Sequence, residues 1–179
     1  VEEASDVEDV VLAGTDLPDA SAMNLNIEAK LGAVNVQAIT TQVSVGDADL
    51  GQSRIVVSGK ADKFSYIAAY AMSNEDGGMV ALDGDDDAVS DFGLYNLAMS
   101  GTADAAAFMV KGKIQSTDTV CASIAHLSGT SDAHDDFSET DVKVGYKMSK
   151  NFNAYALYAT GDAMGTDFAL SRIEVKYTF

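Results

Sequence analysis

The sequence has few of the residues that several common classes of protein require. Among its 179 residues there is one cysteine, Cys121, so an internal disulfide is impossible. Only 11 residues are Lys or Arg against 28 Asp and Glu, which gives a formal net charge of −17. This balance argues against a nucleic-acid partner, because phosphate binding requires concentrated basic side chains. Nor does any stretch approach the roughly 20 consecutive apolar residues of a membrane-spanning helix.

The remaining composition favours a β-rich protein. A single proline stands beside 15 glycines, seven tyrosines and seven phenylalanines, as expected for strands separated by turns. An apolar fraction of 47% is enough for a core or for a lipid-facing belt. The chain begins VEEASDVEDVV, without an initiator Met or an apolar signal segment, so we expect a processed protein or a piece of one.

Apolar residues recur at every second position in many segments. At the end of the chain Ile173, Val175 and Tyr177 form one row, opposite the polar row of Arg172 and its alternate neighbours. A period of two indicates a β-strand whose two faces meet different environments. Similar alternation is found in residues 23–31, 34–39, 54–61, 64–72, 106–115 and 141–148.

Charge is divided unevenly between strands and loops. Nine of the 11 basic residues fall on the polar rows of these strands, whereas most acidic residues fall in loops and turns. A soluble protein mixes both signs over its surface, so the pattern favours a membrane barrel with a polar interior and an apolar outer band. An antiparallel β-sandwich with one solvated face gives the same alternation and stays open here. The predicted pore-lining residues are Lys30, Arg54, Lys60, Lys111, Lys113, Lys143, Lys147, Arg172 and Lys176.

The C-terminal part of the chain resembles a known family. The final RIEVKYTF, with Phe179 last and apolar residues at every second position before it, looks like the C-terminal signature of Gram-negative outer-membrane β-barrels. The segment VKVGYKMSKNFNAYALYATGD resembles the penultimate hairpin of general diffusion porins, in which a strand ending in Tyr-x-Leu/Met-Ser-Lys turns directly into an aromatic-rich strand. The resemblance is specific over residues 140–179 and diffuse over 23–128.

This resemblance implies a location and several partners. Phe179 corresponds to the terminal residue recognised by the β-barrel assembly machinery, with Tyr177 as its aromatic companion. The implied surroundings are the lipid bilayer and lipopolysaccharide of the bacterial outer membrane. A homotrimer is implied, and neither a cofactor nor an enzymatic activity is.

In such barrels one rim has short turns and the other has long loops. We predict periplasmic turns at residues 32–33, 62–63, 115–119 and 149–150, and extracellular loops at 46–52, 74–91, 128–139 and 161–167. This assignment gives nine strands. Residues 92–101 are left as either a tenth strand or a loop helix folded toward the channel, since Phe92, Tyr95 and Met99 also fit helical spacing.

The predicted fold is an all-β, antiparallel transmembrane β-barrel. Residues 1–179 form a single domain, with 1–22 as an acidic extracellular loop and 23–179 as strands and loops. Porins of this resemblance usually have about sixteen strands, more than this chain supplies. We therefore expect the C-terminal nine or ten strands of a larger porin. A smaller complete barrel stays open, because even-numbered barrels start at eight strands.

Acidic and histidine clusters have plain explanations. Asp83, Asp85 and Asp87 have calcium-loop spacing, but Ala88 stands where that loop needs glycine and Leu94 where it needs glutamate. We therefore favour a solvated acidic loop and predict no metal site.

The sequence around His134, Asp135 and Asp136 is similar in composition to the loops of a barrel protease. Without a partnered second site, we interpret this cluster as loop polarity. His126 is most simply a strand residue, and Cys121 a small buried thiol in the barrel wall.

Together these features predict a water-filled channel for passive diffusion of ions and small hydrophilic solutes. The basic residues line one wall, and an acidic inserted loop faces them across a constriction. The resulting transverse field orders water and favours polar solutes. The alternatives are a small outer-membrane barrel without a channel, with a structural or adhesion role, and a soluble β-sandwich binding module.

Overall fold

A computed structural model of the chain describes residues 8–10, 20–77, 93–95, 97, 102–132 and 134–178. These residues form ten β-strands and, within those ranges, no helix. The strands are β1 Glu8–Val10, β2 Ala20–Leu31, β3 Val34–Val45, β4 Ala48–Ala61, β5 Phe64–Ser73, β6 Ala105–Gln115, β7 Val120–Ser131, β8 His134–Lys147, β9 Phe152–Asp162 and β10 Asp167–Tyr177.

All ten strands belong to one antiparallel sheet, in which each strand pairs with its neighbours in sequence. Apart from the three-residue β1, every strand has at least the 10 residues of β5. That length is what a tilted strand needs to cross a bilayer, about 9–11 residues. In the part of the chain that the structure describes, β10 pairs only with β9, so the sheet is open. The predicted all-β fold with nine main antiparallel strands is confirmed.

Tight turns connect strands along one rim of the sheet. Gly32-Ala33 joins β2 to β3, and Asp62-Lys63 joins β4 to β5. Gly32 has φ +65° and Asp62 has φ +52°, the left-handed conformation that matches a two-residue turn to the twist of its strands. Both turns lie where the sequence predicted them, and residues 116–119 and 148–151 form the other two connections on this rim.

On the opposite rim the strands are longer than the sequence predicted. Gly46-Asp47 alone join β3 to β4, and β7 reaches Ser131 before β8 begins at His134. The three predicted loops that are too long are 46–52, 128–139 and 161–167. Beyond the apolar band both faces of a strand carry polar side chains, so the alternation that reveals a strand disappears before the strand ends.

The N-terminal boundary also differs from the prediction. β2 begins at Ala20 rather than Met23, and Glu8–Val10, predicted as loop, pair with it. The small side chains at residues 20–22 have too little apolar alternation to mark a strand in the sequence. The other residues of the range 1–19 lie outside the described part, so their extracellular location stays a prediction.

The two faces of the sheet differ in chemistry and in exposure. One face, called here the apolar face, carries exposed side chains such as Ile173, which is 82% exposed. The other, called here the basic face, carries every buried side chain of the described strands. Crowding of side chains on one side is expected on the concave surface of a sheet curved toward a barrel. The exposed residues of the apolar face include Ile27, Ile55, Phe64, Tyr70, Phe108, Val110, Ile124, Val142, Val144, Tyr146, Tyr158 and Val175.

The buried cluster lies on the basic face, in the half of the strands away from the tight turns. Leu127 and Ala71 are fully buried, and Phe137 is 4% exposed. The described residues form no second sheet that would cover the apolar face, so a β-sandwich does not account for it. Among the same residues, no helix is long and apolar enough to cross a membrane.

Candidate channel wall

Strand register places all nine predicted basic residues on the basic face. Lys30 pairs with Asn35, Lys60 with Ser65, and Lys147 with Asn153, and each pair occupies the same face of its two strands. The other six follow from the same register. That these nine residues line a water-filled pore stays a prediction.

Four of these cations form a straight row across the sheet. Register connects Lys60 to Lys113 through Ser65, and Lys113 to Lys143 through Ser123. It then connects Lys143 to Arg172 through Leu157. Successive cations are two strands apart, or about 10 Å. That spacing is close to the Debye length of roughly 10 Å at 0.1 M salt, so their potentials overlap.

Part of this cation row is fixed by contacts with neighbouring strands. The ammonium nitrogen of Lys143 lies 3.7 Å from the ring centroid of Tyr155. The Tyr155 hydroxyl donates a 2.9 Å hydrogen bond to Oε2 of Glu174, which is also ion-paired with Arg172. β8, β9 and β10 thus hold two cations and one carboxylate in a fixed arrangement.

Residues 93–95 and 97, called here the inserted segment, contact the basic face. The Leu97 amide donates a 2.6 Å hydrogen bond to Oε2 of Glu139, and the Tyr95 amide donates a 3.3 Å hydrogen bond to Oδ2 of Asp141. Arg172 Nη1 donates a 2.5 Å bond to the Tyr95 hydroxyl. Of residues 92–101, those that the structure describes form neither a helix nor a strand of the sheet.

Small side chains on the strands make room for this segment. Ala69, Ala71, Ala105 and Ala107 are buried side by side on β5 and β6, and Leu94 and Leu97 pack against the cluster they form with Leu127 and Phe137. This stretch contacts the wall through leucine and tyrosine, and the acidic inserted loop stays a prediction. The acidic residues 83–91 lie outside the described residues.

A cavity of about 300 Å³ lies between the inserted segment and strands β5 to β9. Its lining includes Lys111 and Lys143, the carboxylate of Asp141 and the ring of Tyr95. Two cations and one carboxylate of the same wall therefore border a space large enough for a small solute.

Sequence patterns marked Tyr95 only by its helical spacing and did not mark Glu139. Tyr95 is 77 positions from Arg172 in the chain, and no local sequence pattern predicts a contact between residues so far apart. Glu139 was detectable in principle, because the polar row of β8 continues upstream at period two from Asp141.

Other predicted residues occupy simpler positions. Cys121 lies on the basic face beside Gly145, whereas His126 Nδ1 is 2.9 Å from Thr140 Oγ1 on the apolar face. Tyr177 lies on the apolar face with its ring centroid 6.3 Å from that of Phe152, near the tight-turn rim. Phe179 lies outside the described residues, so the proposed assembly signal is visible only in part.

The candidate ion-binding and catalytic clusters gain no support. Asp83, Asp85 and Asp87 lie outside the described residues, as does the side chain of His134. Within the residues that are described, no three His, Cys, Asp or Glu side chains form a group that could hold a metal ion.

The chain matches no protein-family model and no curated protein. Its structure is similar to that of OpdO from Pseudomonas aeruginosa, with a TM-score of 0.68, 17% identity, and coverage of 88% of this chain and 48% of OpdO. The outer membrane protein opdK of the same organism gives a TM-score of 0.66 at 16% identity, with coverage of 88% of this chain and 49% of opdK. OccAB4 of Acinetobacter baumannii gives a TM-score of 0.65 at 15% identity, with coverage of 88% of this chain and 45% of OccAB4.

These comparisons establish the fold. The chain has the fold of about half of these proteins: it covers 45–49% of the solved structures that it matches. The resemblance found in the terminal strands is thus confirmed for the architecture of the chain.

Proposed function

We propose that this chain forms part of the wall of a water-filled channel in the bacterial outer membrane, through which ions and small hydrophilic solutes diffuse passively. The observation that carries the proposal is the division of one sheet into an apolar face and a basic face. A barrel wall needs this division, because its outside contacts lipid and its inside contacts water. The similar solved structures support the same architecture.

The row of Lys60, Lys113, Lys143 and Arg172 gives the wall a positive potential where solutes pass. Anionic groups on a solute would contact successive cations of the row, whereas apolar solutes of similar size would gain nothing from the wall. Assembly as a homotrimer, with lipopolysaccharide around the barrel and insertion by the β-barrel assembly machinery, belongs to the same proposal.

Membrane fractionation and planar-bilayer recording test the proposal together. The native protein that contains this chain should be recovered with the outer membrane, should need detergent to stay dispersed, and should give stepwise conductance after insertion. Chemical cross-linking before electrophoresis gives the number of subunits. A monodisperse protein that dissolves without detergent contradicts the membrane location, and membrane recovery without conductance supports the alternative of a closed structural barrel.

A further inference from the structure

Charge in this protein is divided between the two rims of the sheet. Of the 11 Lys and Arg residues, seven lie at the tight-turn rim, in its connections or within three residues of a strand end. The described residues of the same zone include only two carboxylates, those of Asp62 and Asp118. The tight-turn rim is therefore basic. Its seven lysines are Lys30, Lys60, Lys63, Lys113, Lys147, Lys150 and Lys176.

The opposite rim, called here the loop rim, has the reverse composition. Over the same distance from the ends of β2 to β10, its described residues include ten carboxylates and no Lys or Arg. In the sequence, residues 31–53, 64–110, 114–142 and 151–171 contain no Lys or Arg, so every connection between β3 and β10 at this rim lacks them. The ten carboxylates belong to Asp47, Asp49, Glu75, Asp76, Asp104, Asp132, Asp135, Asp136, Asp162 and Asp167.

The charges at both rims are not neutralised in the part of the chain that the structure describes. The seven lysines are exposed, and no ion pair within that part involves any of them or any carboxylate of the loop rim. Asp49 accepts a hydrogen bond from the Ser44 hydroxyl, and Asp162 accepts one from the Gly165 amide. These donors are neutral, so each carboxylate keeps its charge.

The wall between the rims continues the division. Along β8, Glu139 and Asp141 lie toward the loop rim and Lys143 lies toward the tight-turn rim, all on the basic face. Glu174 of β10 is an exception, and it is ion-paired with Arg172. The sign of the charge on β8 thus changes between two residues that are neighbours on the same face.

The two rims are far enough apart to act separately on mobile ions. Even β5, the shortest of the nine long strands, has 10 residues and spans roughly 30 Å. The screening length is about 10 Å at 0.1 M salt. Cations therefore accumulate at the loop rim and anions at the tight-turn rim, and neither population cancels the other.

From this division we infer that the channel rectifies: it conducts more current when the loop rim is on the positive side of an applied voltage. That polarity drives cations inward from the loop rim and anions inward from the tight-turn rim, so the channel fills with mobile ions. The opposite polarity draws both kinds of ion outward and depletes the channel. This rectification rests on the proposed function, because it requires a channel that conducts.

Single-channel recording of the native protein that contains this chain tests the rectification. At 0.1 M salt, the currents at equal voltages of opposite sign should differ roughly 1.5-fold or more. At 1 M salt the ratio should approach one, because the screening length falls to about 3 Å. The orientation of the channel follows from Ala33→Cys in a Cys121→Ser background. A maleimide polymer too large to pass the channel should react with this tight-turn cysteine from one side of the bilayer only.

A variant with charges exchanged between the rims tests the cause. Three lysines of the tight-turn rim become glutamates and three aspartates of the loop rim become lysines, so the net charge is unchanged. Most of the difference between the rims is removed, and the current ratio at 0.1 M salt should fall close to one. The six substitutions are Lys147→Glu, Lys150→Glu, Lys176→Glu, Asp47→Lys, Asp132→Lys and Asp136→Lys.

A matched control moves charges within one rim. Lys150→Asp together with Asp118→Lys leaves the charge of the tight-turn rim unchanged, so the ratio should stay at the parent value. Equal currents at both polarities in the parent at 0.1 M salt overturn the inferred rectification. A ratio that persists at 1 M salt, or in the six-site variant, overturns its assignment to the rim charges. If the six-site variant does not assemble, the salt series on the parent still decides. A parent protein that conducts no current contradicts the proposed function itself.

Discussion

Lys143 of β8 places its ammonium nitrogen 3.7 Å from the centre of the Tyr155 ring on β9. The same tyrosine donates a hydrogen bond to Glu174 of β10, and Glu174 is paired with Arg172. Each side chain restricts the next, so the charges of this wall keep fixed relative positions. Fixed charges on a wall produce a steady field, which acts on ions more effectively than mobile charges do.

Reversing a charge in the cation row should change ion selectivity. Lys113→Glu replaces a positive charge with a negative one on the basic face, so the ratio of anion to cation permeability should fall roughly twofold or more. Lys63→Glu makes the same change in an exposed turn, outside the row, and should have a much smaller effect. Reversal potentials in a salt gradient measure the ion selectivity of both variants. Equal shifts of the reversal potential in the two variants would contradict a channel lined by the cation row.

Cysteine substitutions should distinguish the two faces of the sheet. In a Cys121→Ser background, cysteines at Lys111, Lys113, Lys143 and Lys147 should react with a small charged thiol reagent. Cysteines at Phe108, Val110, Val144 and Tyr146 should be protected by lipid. Register puts the two sets on opposite faces of the same strands. Equal labelling of both sets in native membranes would show that the faces are assigned incorrectly.

Gly129 should be intolerant of any side chain. A methyl group there would overlap the ring of Phe137 and lie 2.8 Å from Cβ of Ala107. Gly129→Ala should lower the free energy of unfolding by about 1–3 kcal/mol, the usual cost of overfilling a packed site. Gly112→Ala is the matched control, because its nearest contact would be an ordinary 3.5 Å from Phe64. Urea titration in detergent measures the unfolding midpoint of both variants, and equal midpoints would contradict the tight fit at Gly129.

The sequence predicted the strands best where the two faces differ most. Around Val144 and Lys143 the alternation of apolar and basic residues fixes both the strand and its orientation, because lipid and water select opposite side chains. Beyond the apolar band, at Ser131 and His134, this contrast is gone and the strand ends were misplaced. β7 and β9 showed no clear face in the sequence, because alanine occurs on both of their faces.

The attachment of the inserted segment to the sheet could not be predicted from local sequence patterns. Its bonds to Glu139 and Asp141 join residues 42 and 46 positions apart, and they use backbone amides that every residue except proline possesses. Nothing in the sequence indicated that the buried alanines would pack against Leu94. Such contacts follow from the curvature of the sheet, which period-two patterns do not specify.

The terminal strand leads to a prediction about assembly in cells. Tyr177 is 55% exposed on the apolar face, and its described ring contact is with Phe152. If its main role is recognition by the assembly machinery, Tyr177→Ala should reduce the folded protein in outer membranes several-fold, while refolding into detergent micelles remains nearly unchanged. Thr178→Ala, at the next position on the chain, serves as the control. Heat-modified mobility on gels reports the folded fraction in both settings. A parallel loss in micelles would show instead that Tyr177 supports the barrel itself, because detergent refolding proceeds without the machinery.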